Sequence, residues 1–84
     1  MNINDVSAAF EKGDEDDEFV YWDIKEGYEC QVNGQLDIVV LSVRKLDGEI
    51  ARVFDSYLGG RELSKGATFE LFTIERHLVL SETV

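Results

Sequence analysis

The chain has 84 residues, of which 44% are hydrophobic and 31% are charged. This composition excludes a disordered chain, whose hydrophobicity is lower, and the length predicts one domain with a thin core. The net charge of −10 disfavours direct binding to nucleic acid or to anionic lipid, because like charges repel. Basic proteins are therefore the expected partners.

Most of the negative charge lies near the N-terminus. The first 30 residues hold ten acids against two bases, whereas the rest of the chain holds eight acids against six bases. The stretch GDEDDEFVYWDI places five consecutive acids, Asp14 to Glu18, directly before a run that contains three aromatics. Any electrostatic attraction of a partner should therefore originate in the first third of the chain.

The opening MNINDVSAAF lacks the basic and apolar segments of a secretory signal, and no apolar run reaches the roughly 20 residues of a membrane span. The expected location is the cytoplasm. The single cysteine, Cys30, has no second cysteine with which to form an internal disulfide. It lies in the alternating stretch YECQV, which predicts a buried and unreactive thiol.

A short helix is predicted to run through Lys12, with Asn4 or Asp5 as its N-terminal cap. Ile3, Val6 and Phe10 fall at helical spacing, and Gly13 can end a helix in the left-handed conformation. Two turns of helix are marginal in isolation, so the apolar side is expected to lie against the rest of the domain.

From Phe19 onward the apolar residues alternate with a period of two, which predicts strands. Short connections with residues that tolerate positive φ, such as Asn33-Gly34 and Asp47-Gly48, predict antiparallel hairpins, with a further turn over residues 25–27. The predicted strands are 18–24, 28–32, 36–45, 49–57 and 67–74, with 78–83 as a sixth candidate.

The predicted fold class is therefore α+β and mainly β: a short N-terminal helix followed by a five- or six-stranded antiparallel meander, with closure toward a small barrel left open. Residues 1–84 are expected to form one domain, with the helix and the acidic segment in 1–17 and the β domain in 18–84. Strand 36–45 is apolar on both faces and should be central. Residues 56–66, with three glycines, are expected to form a loop.

Strand register follows from the requirement that apolar side chains share one face. A two-residue Asn33-Gly34 loop would set Cys30 against Asp37 and bury an acid, so a three-residue loop over 32–34, which sets Cys30 against Leu36, is preferred. A three-residue loop at 46–48 is expected for the same reason. It predicts the pairs Lys45 with Glu49, Val43 with Ala51, Leu41 with Val53 and Val40 with Phe54.

No catalytic or metal site is predicted. Asp14, Asp16 and Glu18 have the alternating spacing of a calcium loop, but Phe19 stands where such a loop needs glycine and Lys25 where it needs glutamate. The only histidine, His77, lies in a predicted turn. We therefore expect neither an enzyme nor a cofactor.

The acids themselves are the best candidate for function. If residues 14–18 were extended, alternate acids would stand about 6.6 Å apart on one side, which permits mimicry of every second phosphate of a nucleic acid strand. Glu29, Gln31 and Asp37 are expected to point outward together and to continue the acidic surface. The candidate partner-binding residues are the acids Asp14, Glu15, Asp16, Asp17, Glu18, Asp23, Glu26, Glu29 and Asp37, with Phe19, Tyr21, Trp22 and Tyr57 as apolar anchors.

In size, acidity and hairpin-rich build, the chain resembles the small acidic inhibitors of phages: uracil-DNA glycosylase inhibitors, anti-restriction DNA mimics and anti-CRISPR proteins. The opening MNIND is similar to the start of a Cas9 inhibitor over those five residues, and no functional residue is carried over from it. The resemblance implies a viral protein that acts in the host cytoplasm.

Two functions follow as hypotheses. In the first, the acidic N-terminal third docks on a basic, nucleic-acid-binding surface of a partner and blocks it. In the second, the chain is a structural or assembly subunit that forms a homodimer through an edge strand at 78–83, and the acids serve only solubility.

Overall fold

The computed structural model describes residues 1–56 and 60–84, and these residues form a mainly β structure. The predicted anchor Tyr57 lies outside the described residues. Nine strands are present in the described part: β1 Phe10–Glu15, β2 Phe19–Ile24, β3 Tyr28–Val32, β4 Gln35–Asp37, β5 Val39–Arg44, β6 Ile50–Asp55, β7 Arg61–Glu62, β8 Thr68–Thr73 and β9 Leu78–Thr83.

The strands form two antiparallel sheets rather than one meander. The five-stranded sheet has the order β1-β2-β5-β6-β7, and the four-stranded sheet has the order β4-β3-β8-β9. Within the described residues neither sheet closes on itself, since each ends in two edge strands, so the sheets form no closed barrel. Buried residues from both sheets and from the N-terminal turns share one hydrophobic core cluster.

The predicted N-terminal helix is wrong. Two 3-10 turns, Ile3–Asp5 and Ser7–Ala9, precede β1, which begins at Phe10. The apolar residues of the predicted helix are buried as expected, but tertiary hydrogen bonds hold the turns: the Ile3 N–H donates to the Gly48 carbonyl at 2.9 Å. A helix of two turns offers too few internal hydrogen bonds to compete with pairing along the free edge of β2.

The predicted hairpin between β2 and β3 is also wrong. Strand β2 pairs with β1 on one side and with β5 on the other, and β3 joins the second sheet. Gly27, at φ +99°, lies in the connection that takes the chain from one sheet to the other. Because β1 lies in a segment predicted as helix and acidic linker, the first partner of β2 could not be foreseen.

The β3–β4 hairpin has the register that was expected to be disfavoured because it places an acid against a buried residue. Asn33 and Gly34 both have positive φ and form a two-residue turn, which pairs Cys30 with Asp37 rather than with Leu36. The Asn33 side-chain oxygen accepts from the Thr68 N–H at 3.0 Å and so ties this turn to β8. The predicted three-residue loop is therefore wrong, and Leu36 is exposed.

Strand β5 is central, as predicted, between β2 and β6. The predicted pairs Leu41 with Val53 and Val40 with Phe54 are confirmed. A bulge shifts the end of the ladder and pairs Val43 with Ile50 instead of Ala51. The predicted pairing of Lys45 with Glu49 is replaced by a bond from the Arg44 N–H to the Glu49 carbonyl at 2.9 Å.

The remaining strands largely match the pattern of the sequence. Strand β9 has the bounds predicted for the sixth candidate, and β8 lies within the predicted 67–74. The predicted strand 36–45 is divided at Ile38, where the chain crosses from the four-stranded to the five-stranded sheet. The predicted loop 56–66 contains β7, which pairs with β6.

Candidate functional site

The acidic run lies at the tip of a hairpin formed by β1 and β2, residues 10–24, which we call the acidic hairpin. Glu15 pairs with Val20, and the Asp16 N–H donates to the Phe19 carbonyl at 2.9 Å, so the chain reverses within the run. The acids therefore do not form one extended strand. The phosphate-like spacing was predicted for a run that is extended throughout, and that condition is not met.

Asp16 holds this tip together. One carboxylate oxygen accepts from the Phe19 N–H at 2.7 Å and the Glu18 N–H at 2.9 Å, and the other accepts from the Tyr21 hydroxyl at 2.9 Å. These hydrogen bonds, led by that from Phe19, lower the pKa of Asp16, and the bond to Asp16 raises the pKa of Tyr21. Both oxygens of Asp16 are thus used within the hairpin.

Glu15 is also paired within the molecule. Its carboxylate lies 2.7 Å from the Lys45 ammonium, and this hydrogen-bonded ion pair lowers the pKa of Glu15. The backbone reinforces the contact, because the Lys45 N–H donates to the Glu18 carbonyl at 3.0 Å. Glu15 therefore joins the hairpin to the turn that follows β5.

The other three acids of the run, Asp14, Asp17 and Glu18, are exposed. Among the described residues, none of the three has a side-chain ion pair or hydrogen bond. Their charges face solvent from a tip whose backbone is held by Asp16. They are the part of the run that is available to a partner.

A like-charged pair extends the negative surface along the hairpin. Glu11 and Asp23 are exposed register partners on neighbouring strands, an arrangement that normally destabilises a sheet. The Asp23 carboxylate reaches over Gly13, where an added Cβ would lie 2.7 Å from its oxygen. Glu11 was not among the predicted site residues, because only the β1–β2 register reveals that it faces Asp23.

Two of the predicted anchors lie on the outer face of the five-stranded sheet. Phe19 and Tyr21 alternate with core-facing Val20 and Trp22, and each is half-buried. The Arg52 guanidinium carbon lies 4.8 Å from the centre of the Phe19 ring, a cation–π contact that leaves the apolar patch partly covered by a charged side chain.

The third described anchor, Trp22, is on the opposite face. Its ring packs against the core cluster, and the Lys12 ammonium lies 5.7 Å from the ring centre. Trp22 is therefore half-buried on the side of the sheet away from Phe19 and Tyr21. The alternation of the strand separates it from the other two aromatics.

The remaining predicted acids do not join the acidic hairpin in one surface. Glu26 is exposed in the β2–β3 connection, and Glu29 is half-buried on the second sheet, where it pairs with Phe72. The expectation that Asp37 points outward beside Glu29 is wrong, because Asp37 is the register partner of buried Cys30 and so shares its face.

Asp37 instead lines an open cleft of about 530 Å³ between β4 and β7. The neighbouring Asp55 carboxyl is only 6% exposed and lies 3.8 Å from the Arg61 guanidinium. Burial is the first cause that raises the pKa of Asp37, followed by the bond to Asp55. This carboxyl pair was missed, since it depends on the two-residue turn and on the contact between sheets.

The other chemically reactive side chains are placed apart. Cys30 is fully buried, and burial raises the pKa of its thiol to about 12. His77 is exposed in the connection between β8 and β9. Among residues 1–56 and 60–84, no group of three or more His, Cys, Asp or Glu side chains is arranged to hold a metal ion.

Among the described residues there is no helix with the length and apolar character that crossing a membrane requires. No family model matches the chain, and no curated protein or solved structure matches it.

Proposed function

We propose that this chain is an acidic protein-binding module whose acidic hairpin docks on a basic, nucleic-acid-binding surface of a partner protein and blocks it. The observation that carries the proposal is the tip of the hairpin, where Asp14, Asp17 and Glu18 face solvent from a backbone held by Asp16. The backbone that carries these charges is held before binding, which lowers the conformational cost of docking.

The hairpin also carries acids at directly opposed positions of its two strands. Glu11 and Asp23 are exposed register partners, and like charges at such positions generally destabilise a sheet. Such a pair becomes favourable when a cationic side chain from a partner lies between the two carboxylates. A solubilising surface has no need of this arrangement.

Charge steers a partner and speeds association more than it adds affinity, so an apolar contact is also required. Phe19 and Tyr21 supply it on the outer face of the sheet, directly after the acidic tip. The mechanism is occlusion of a polyanion-binding cleft, as in the small acidic phage inhibitors that the chain resembles. It does not rely on phosphate-like spacing.

The test compares two variants of equal charge. Asp14→Asn with Asp17→Asn and Glu18→Gln takes the net charge from −10 to −7, and so does Glu70→Gln with Glu75→Gln and Glu82→Gln on the other sheet and its connection. The probe is an immobilised arginine- and lysine-rich peptide, and association is followed optically at about 50 and 500 mM salt.

We expect the hairpin variant to associate more slowly than the native chain at low salt, by on the order of tenfold, and the control variant to keep close to the native rate. The difference in association rate between the two variants should become small at about 500 mM salt. An equal loss of rate in both variants would show that total charge, not the hairpin, attracts the peptide. Capture from lysate then identifies the partner. It is the basic protein that both the native chain and the control variant bind and that the hairpin variant does not bind.

A second candidate function is a homo-oligomeric subunit that joins through β9. Among the described residues this strand pairs only with β8, and its Leu78 and Val79 side chains are 56% and 45% exposed. An unpaired edge with exposed apolar residues favours pairing with a second copy.

Light scattering after size-exclusion separation tests this function. A subunit of this kind gives a salt-tolerant dimer that Val79→Lys dissociates. The control is Leu46→Lys, which makes the same kind of change at a 93% exposed position outside the edge strand. A native chain that elutes as a monomer at all salt concentrations excludes it.

A further inference from the structure

The outer face of the five-stranded sheet carries a row of three side chains, Tyr21, Ser42 and Arg52, which are register partners on β2, β5 and β6. Leu41 and Val53, which precede or follow members of this row, belong to the core cluster, so the row points away from the core. Ser42 is nevertheless fully buried. Its larger neighbours on the outer face therefore cover it.

Two aromatic rings hold Arg52 on this face. Its guanidinium carbon lies 4.8 Å from the centre of the Phe19 ring and 5.9 Å from the centre of the Phe54 ring. The rings come from different strands, β2 and β6, with Ser42 on β5 between them. We call Phe19, Ser42 and Phe54 the outer-face cradle. The cradle already holds one guanidinium group, which belongs to the chain itself.

The cradle holds Arg52 weakly. The residue is exposed, and across residues 1–56 and 60–84 no carboxylate lies within ion-pair distance of its guanidinium. A cation–π contact at an exposed position changes an equilibrium by only about two- to fivefold. Arg52 can therefore leave the two rings at low cost.

The cradle also contains an unsatisfied polar atom. The Ser42 hydroxyl is buried, and no group in the described part of the chain forms a hydrogen bond with it. A buried hydroxyl without a partner destabilises the structure, and a new donor or acceptor removes that cost. A cation that reached Ser42 would gain the hydrogen bond that Arg52 does not make.

The charges around the cradle favour a cation. The Asp16 carboxylate accepts from the Phe19 N–H at 2.7 Å, and Asp23 lies on the same face of β2. Arg44 is the register partner of Phe19, but its guanidinium lies 2.8 Å from the Asp47 carboxylate, which offsets its charge. Once the resident guanidinium moves away, negative charge dominates the surroundings of the cradle.

We propose that the outer-face cradle receives an arginine side chain of the basic partner, and that Arg52 occupies the cradle only in the free chain. The inference rests on the proposed function, because it adds a second contact to the same docking surface. Arginine fits better than lysine, since a planar guanidinium stacks on aromatic rings and the cradle already holds one. On docking, the partner's guanidinium lies against Phe19 and Phe54 and donates to Ser42, and Arg52 turns toward solvent.

The test empties the cradle. Arg52→Ala takes the net charge from −10 to −11, and Arg76→Ala makes the same change in the connection between β8 and β9. The probes are two immobilised peptides of equal length and charge, one rich in arginine and one rich in lysine, and affinity is measured at about 150 mM salt.

We expect Arg52→Ala to bind the arginine peptide about two- to fivefold more tightly than Arg76→Ala does, because the incoming guanidinium no longer competes with the resident one. The ratio of arginine-peptide to lysine-peptide affinity should rise in Arg52→Ala alone. Adding Phe19→Leu, which removes a ring of the cradle, should abolish the rise. A gain that is equal for both peptides, or that survives Phe19→Leu, reflects charge alone and overturns the proposal.

The native chain gives a readout that needs no variant. The Phe19 ring shifts the Nε–H resonance of Arg52 in the free chain, and saturation with the arginine peptide should move this resonance to the position of a solvated arginine. A resonance that keeps its shift at saturation overturns the proposal. Failure of the proposed function is a different result, in which the hairpin variant and its charge-matched control associate at the same rate.

Discussion

Cys30 provides a quantitative test of the packing between the sheets. The side chain is fully buried, and burial, followed by the charge of Asp37, raises the pKa of the thiol from 9.0 to about 12. At pH 8, the thiolate fraction is then roughly one in 10⁴, against roughly one in ten for a thiol with a pKa of 9.0. Ionisation alone slows reaction with a thiol reagent by roughly a thousandfold.

That factor applies to the closed state, whose sulfur the reagent does not reach. Reaction proceeds after the sheets separate, when the thiol is exposed and its pKa is ordinary, so the labelling rate reports this opening. The assay is labelling by a chromogenic disulfide at pH 8 in increasing urea, with the fully unfolded chain as the reference. We expect labelling of the native chain to be at least about a thousandfold slower than the reference, and its logarithm to rise linearly with urea as unfolding becomes easier.

A matched pair of variants separates volume from polarity at this position. Cys30→Ala leaves a small cavity and should cost about 1 kcal/mol of the free energy of unfolding. Cys30→Ser buries a hydroxyl without a designed partner and should cost about 1–3 kcal/mol more than alanine. The reasoning is refuted if the native chain is labelled within a factor of about ten of the unfolded chain, or if serine is tolerated as well as alanine.

Three further predictions concern the core, a turn and the acids. Leu41→Ala, at a fully buried position of the central strand, should lower the free energy of unfolding in guanidinium by about 2–5 kcal/mol, and a cost below about 1 kcal/mol would contradict its place in the core. Gly34→Ala, at φ +79°, should cost about 1 kcal/mol by the same assay although no atom lies within 4 Å of the added Cβ, and no loss would argue against the two-residue turn. Glu15, Asp16 and Asp47 have lowered pKa values, so the stability they contribute is present above their ordinary values of 3.8–4.5 and is lost as pH falls through the lowered values. The urea concentration at the midpoint of unfolding should therefore decrease as the pH is lowered below about 4. The decrease should be less steep in Asp16→Asn. Equal slopes in the two proteins would contradict the role of Asp16 in the hairpin.

Strands that carry several apolar residues in sequence could be predicted. Strand β9, which begins with three apolar residues, has the predicted bounds, and the register of Leu41 with Val53 follows from two apolar patterns joined by a short turn. Strand β1 could not be recognised, because every residue after Phe10 in its sequence FEKGDE is charged or glycine. Its charged residues resemble a linker until β2 supplies the pairing.

Some features of the candidate site could likewise be predicted from the sequence, and others depend on the tertiary structure. The position of the acids next to Phe19 is a property of the sequence, but the reversal at Asp16 and the opposition of Glu11 and Asp23 require the β1–β2 register. The Asp37–Asp55 pair depends on contacts across 18 residues of chain and between two sheets. The rule that acids avoid burial argued against the register that the chain adopts.

By itself, the sequence determined the β character of the chain from Phe19 onward, the burial of Cys30 and the concentration of acid near the N-terminus, because composition and short-range alternation carry that information. Only the tertiary structure decided that the N-terminal segment is a strand, that the strands divide into two sheets, and which acids face solvent, a partner strand or each other. The physical reason is that the energy of strand pairing depends on which strand edges meet in space. The apolar and polar pattern of a single strand fits several partner edges equally well, so it does not select one of them.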